Sequence, residues 1–152
     1  MQETLSHAAG QERLIAYLER LAGAPPNVLL LEAGSRRERE ALGLYWAALL
    51  NCSEGVPCGI CSACLAIAQE AHRDLYIFRG AEDSIKVDDV RPLRQSLADK
   101  PHDAYRVVLF SEAQELTASA ANALLKSLEE PLPGNVFVLL VPQRFLLLPT
   151  LV

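Results

Sequence analysis

Long hydrophobic runs are missing from this chain. No stretch of its 152 residues approaches the roughly 20 apolar residues that a membrane-spanning helix needs. The opening MQETLSHAAGQERL has neither a basic n-region nor an apolar core, so it does not read as a secretory leader. Together these absences lead us to expect a cytoplasmic protein with no membrane partner. Positive charge is also in deficit: 14 Lys and Arg against 19 Asp and Glu leave a net charge of −5, which excludes a broad basic surface for nucleic acid and leaves room only for a local patch. Internal repeats and low-complexity segments are absent. What remains is 51% hydrophobic and 22% charged, the balance of a single folded domain with a real core.

Cysteine is scarce, and its placement is informative. All four lie between Cys52 and Cys64, as Cys52, Cys58, Cys61 and Cys64 in the spacing C-x5-C-x2-C-x2-C. Four thiols so close can converge on one tetrahedral ion, and Zn2+ is the commonest ion held this way. A reducing cytoplasm favours a metal over disulfides. An iron–sulfur cluster is the rival reading. Ferredoxin runs, however, continue C-x3-C-P, whereas here the outlying cysteine comes first and no proline follows Cys64. A closed four-thiolate site leaves no position for a reactive water, so its role is expected to be structural. His7, His72 and His102 are scattered without metal-ligand spacing and read as solvated or core residues.

The apolar pattern predicts alternating helices and buried strands. Leu14, Ile15, Leu18 and Leu21 mark one helical face over 11–21, and Gly23-Ala-Pro-Pro26 ends it. Val28–Leu31 is a short continuous apolar run, the mark of a strand covered on both faces. A charged turn at Gly34–Glu40 leads to a helix from about Arg39 to Leu50, with Tyr45 and Trp46 in the core. The cysteine insertion, at about 52–72, ends in a helix through Leu65–Ala68. Strands follow at Leu75–Phe78, Val107–Phe110 and Val136–Val141. Between them lie a helix carrying Val87, Val90, Leu93 and Leu97, opened by Asp88 and Asp89, and one N-capped by Thr117 with Ala121, Leu124, Leu125 and Leu128 inward and Pro131 as its limit. This is the order of a three-layer α/β domain with a parallel sheet.

A strand turning into a helix is where a phosphate loop, G-x-x-x-x-G-K-[ST], would lie. The corresponding residues are Glu32-Ala-Gly34-Ser35-Arg-Arg-Glu38-Arg39. Both pattern glycines are gone, Glu38 stands for the lysine and Arg39 for the hydroxyl. A charge ~4 Å from a phosphate contributes about 4 kcal/mol at an effective dielectric near 20, so reversing its sign shifts the balance by about 8 kcal/mol before solvent screening. The acidic pair that would hold Mg2+ and polarise water after the third strand reads Ser111-Glu112. ATP is therefore not expected to bind, and no catalytic residue is expected. Taken alone, the turn also reads as a solvated helix start, with Arg36, Arg37 and Arg39 offset by Glu38 and Glu40.

The segment from Arg106 to Pro131, and above all Ala121-Asn-Ala-Leu-Leu-Lys126 running into Leu128-Glu-Glu-Pro131, resembles bacterial clamp-loader subunits of DNA polymerase III, of the gamma/tau and delta-prime group. Gly10-Gln11, His72-Arg-Asp74 and Leu148-Pro-Thr150 fit the same resemblance, which spans nearly the whole chain. It implies a P-loop NTPase-like AAA+ N-terminal domain with a zinc module inserted after the phosphate-loop helix. The lost lysine and acidic pair point within the group to delta-prime, whose members are commonly catalytically silent. The implied role is a stator in the clamp loader, with gamma/tau and delta subunits as partners and with the sliding clamp and primer-template DNA reached through the assembly.

Asn122 and Lys126 share one helical face, read either as solvated or, by the resemblance, as a subunit contact. The polar residue that would sense a γ-phosphate is replaced by Pro142-Gln-Arg144. The apolar end at Phe145–Val152 leads us to expect a longer natural protein. The resemblance implies that it would continue with a Ser-Arg-Cys motif and later domains beyond this chain. The alternatives are an ATP-binding gamma/tau-type ATPase subunit and, more distantly, a zinc-dependent DNA-binding or redox module.

Overall fold

The computed structural model describes residues 12–32, 34–81 and 83–151. Expectations that fall on His7, Gly10, Gln11 and Ala33 lie outside the described residues. The elements run α1 (Glu12–Leu21), β1 (Val28–Glu32), α2 (Arg36–Asn51), α3 (Ser62–Ala68), β2 (Leu75–Arg79), α4 (Val87–Ser96), β3 (Arg106–Ser111), α5 (Ala118–Glu129) and β4 (Asn135–Val141), with short 3-10 turns at Ala113–Glu115, Arg144–Leu146 and Pro149–Leu151.

The four strands form one parallel sheet in the order β1-β4-β3-β2. Alternation along the central strands divides the core in two. Val107 and Leu109 of β3, with Val136, Val138 and Leu140 of β4, face α1, α2 and α3. Val108 and Phe110, with Phe137, Leu139 and Val141, face α4 and α5. Both central strands are buried along their whole length, which is why they read as unbroken apolar runs. The edge strand β2 is only half-buried, with Phe78 stacked on Phe110 at 5.3 Å between ring centroids.

Tyr45 and Trp46 are buried in α2 as expected, and the Tyr45 hydroxyl donates to Glu19 of α1 at 2.8 Å. Burial, with Glu19 beside it, raises the Tyr45 pKa and keeps the phenol neutral. Thr117 does cap α5, accepting from Ala120 N at 3.1 Å. Ala121 and Leu124 of that helix are buried with Ala120, while Leu125 and Leu128 are only partly covered. The described residues contain no helix long and apolar enough to cross a membrane.

Two expectations need correction. Helix α2 begins at Arg36, not near Arg39, because Ser35 and Glu38 form a reciprocal cap at its start. Arg39 does not belong to a solvated helix end: it is 4% exposed, since its position in α2 turns it inward toward β3.

Candidate functional site

The crevice at the carboxyl ends of the strands is where an open α/β sheet places its ligands. Its residues bind one another. At the N-terminus of α2, Ser35 Oγ accepts from Glu38 N at 3.1 Å, while Glu38 Oε2 accepts from Ser35 N at 2.8 Å. An anion arriving at this helix end would find a donor already taken by a carboxylate. Gly34 makes the fit possible. It sits at φ +74°, and a Cβ there would lie 2.7 Å from Glu38 Oε2.

Arg39 crosses from α2 toward the end of β3. Its guanidinium donates to the Gly34 carbonyl and to Glu112 Oε1, the latter at 2.5 Å. Ser111 Oγ donates to Glu40 Oε1, also at 2.5 Å. A phosphate-loop enzyme holds Mg2+ between a hydroxyl on this helix and a carboxylate on this strand. Here the carboxylate is on the helix, the hydroxyl is on the strand, and the two touch directly. The residue facing Ser111 is thus Glu40, one position beyond Arg39.

Around this pair two further cations, Arg79 and Arg144, are also matched. Arg79 contacts Glu40 at 3.5 Å and Glu70 at 2.5 Å, and both carboxylates hold its pKa above the ordinary value. Arg144, following β4, donates to Glu32 at 2.8 Å and holds the Glu32 carboxyl below its ordinary range. The space left between Arg36, Glu40, Arg79 and Ala81 is about 270 Å3, below the 300–1,000 Å3 of typical ligand pockets.

The four cysteines do converge. Cys52 Sγ lies 3.9 Å from Cys61 Sγ, Cys58 Sγ lies 4.0 Å from Cys64 Sγ, and all four sulfurs fall within 4.8 Å of one another. Four sulfurs each about 2.3 Å from one ion would stand about 3.8 Å apart, so the donor set fits tetrahedral zinc. Backbone N–H groups already point at the sulfurs, Cys61 N at Cys58 (3.3 Å) and Cys64 N at Cys61 (3.4 Å), as thiolate ligands require. The Cys64 N–H, foremost among these, pulls the Cys61 thiol down to about 6, whereas burial pushes Cys64 up to about 12.

A third cluster escaped the sequence reading. Buried His72 places Nε2 2.6 Å from Asp103 Oδ2 and takes the Asp74 N–H on Nδ1 at 3.0 Å. Asp74 in turn accepts from His102 N and Asp103 N. With both Asp74 oxygens committed to backbone donors, this cluster ties down a loop and is not set up as a ligand site. The sequence signal available was the short His72-Arg-Asp74 run, but its loop partner lies about 30 residues away. Asn122 and Lys126 are both exposed on α5.

The parallel sheet, with helices packed on both faces, defines a three-layer α/β domain. Its fold is shared with a DNA polymerase III gamma subunit-related protein of Thermotoga maritima, at a TM-score of 0.66 and 22% identity over 90% of this chain and 42% of that one. Residues 10–152 match the family model described as "DNA polymerase III, delta subunit". The chain belongs to that family. It is 39% identical over 119 residues to DNA polymerase III subunit delta' of Pseudomonas aeruginosa, covering 74% of this chain and 36% of the relative. It is 35% identical over 107 residues to DNA polymerase III subunit gamma/tau of Mycobacterium bovis, covering 67% of this chain and 18% of the relative. The chain thus spans well under half the length of these relatives.

Proposed function

We propose that this domain serves as a non-catalytic, stator-type part of the DNA polymerase III clamp loader, of the delta-prime kind, without bound ATP. The observation that carries the reading is the self-paired crevice. Glu38 occupies the helix N-terminus, and Arg39–Glu112 and Glu40–Ser111 close the space between α2 and β3. A triphosphate would have to break these contacts and then face carboxylates. The partners are other clamp-loader subunits, gamma/tau and delta, in the cytoplasm, with the sliding clamp and primer-template DNA engaged through the assembly. The exposed α5 face with Asn122 and Lys126 is the proposed subunit contact.

Cys52, Cys58, Cys61 and Cys64 would hold a structural Zn2+. When bound, it supplies a closed four-thiolate cross-link and no reactive position.

Kinship with gamma/tau subunits favours the second reading, an ATP-binding domain. A titration with magnesium and ATP separates the two. A ligand that binds only the folded state adds about 2.7 kcal/mol of stability at a hundredfold excess over Kd, and so raises the melting temperature. No shift is expected; a saturable upward shift would overturn the stator reading in favour of the ATP-binding one.

A further inference from the structure

Glu112 holds a backbone conformation, φ +55°, that a residue with a side chain resists unless its surroundings fix it. Those surroundings are specific. One carboxylate oxygen is held by Arg39 at 2.5 Å and the other by Gln114 Nε2 at 2.7 Å. Arg39 is itself buried and anchored on the Gly34 carbonyl.

From Glu112 the chain runs without slack to α5. Glu115 N donates to Glu112 O at 2.9 Å, Ile85 N to Glu115 O at 2.9 Å, and Thr117 N to Ile85 O at 3.0 Å. Gly80 lets β2 lie against this turn, since a Cβ there would stand 2.5 Å from Glu115 Cβ and 2.9 Å from the Glu112 carbonyl oxygen. Thr117 then caps the helix that exposes Asn122 and Lys126.

We infer that the Arg39–Glu112 pair, supported by Glu40–Ser111, is a built-in clasp that fixes the β3–α5 connection, and with it the α5 face, without any ligand. In a nucleotide-dependent domain the same two elements meet across the phosphates and their metal ion. Here two side chains, Arg39 and Glu112, bridge them directly. The inference deepens the stator reading and rests on it for the meaning of the α5 face, but not for the clasp itself.

Hydrogen exchange read by mass spectrometry tests it on this chain. The informative variant is Arg39→Met with Glu112→Gly, which removes the clasp, leaves no orphaned buried charge and frees the left-handed backbone. Glu112→Gln is the milder companion. In the double variant, peptides covering 112–117 and the start of α5 should exchange at least roughly tenfold faster, with the cysteine module unchanged. Glu112→Gln should move the same peptides in the same direction. Unaltered exchange at 112–117 would overturn the clasp. So would acceleration spread equally over the cysteine module and β1, which reports only a general loss of stability. Either result leaves the stator reading standing. Nucleotide binding by the parent chain would remove that reading, while faster exchange at 112–117 in the ligand-free double variant would still report the clasp.

Discussion

At Asp74 a carboxylate only 1% exposed receives two backbone N–H groups, His102 at 3.0 Å and Asp103 at 2.7 Å. These bonds hold the loop that feeds β3, so their loss should be felt in the sheet. Asp74→Ala leaves both donors without a partner and is expected to lower stability by about 3 kcal/mol, read from the midpoint of urea unfolding. Single residues were unevenly legible. Tyr45 and Trp46 announced themselves as core because they sit among apolar neighbours. Arg39 did not, because a run of alternating charge reads as solvated, and its partner Glu112 is 73 residues away. Only the fold brings them together.

Helix ends decide how the elements meet. Thr117 opens α5 by accepting the Ala120 N–H, and Thr117→Ala is expected to lower stability by about 1 kcal/mol, measured by thermal unfolding. The start of α2 was legible in principle: Ser35 followed three residues later by Glu38 is a capping box in plain sequence. Set against the phosphate-loop pattern, Glu38 reads as a lost lysine, whereas in the fold its carboxylate caps the helix. The cysteine module was legible from spacing alone, because a cluster this dense allows few geometries. On the zinc reading, a strong chelator should release about one zinc per chain and lower the melting temperature, because the free energy of binding a structural metal adds to that of folding. Acid should release the metal too, since protons compete for the thiolates as pH falls. Metal analysis alongside calorimetry checks both; iron in place of zinc would favour a redox module.

Over the whole molecule, the parallel sheet and its two layers followed from apolar runs alternating with helical patterns. Strand order did not. That β1 pairs with β4 and that β2 forms an edge are settled by crossover connections and by what each helix covers, which no local pattern encodes. The cysteine module is no appendage to this architecture. Cys52, Cys64 and Ile67 belong to the same buried cluster as Trp46 and the inward residues of β3 and β4. On the zinc reading, trace-metal supply would therefore bear on the domain as a whole. A cell short of zinc would risk the hydrophobic layer over one side of the sheet, and with it the soundness of the whole fold.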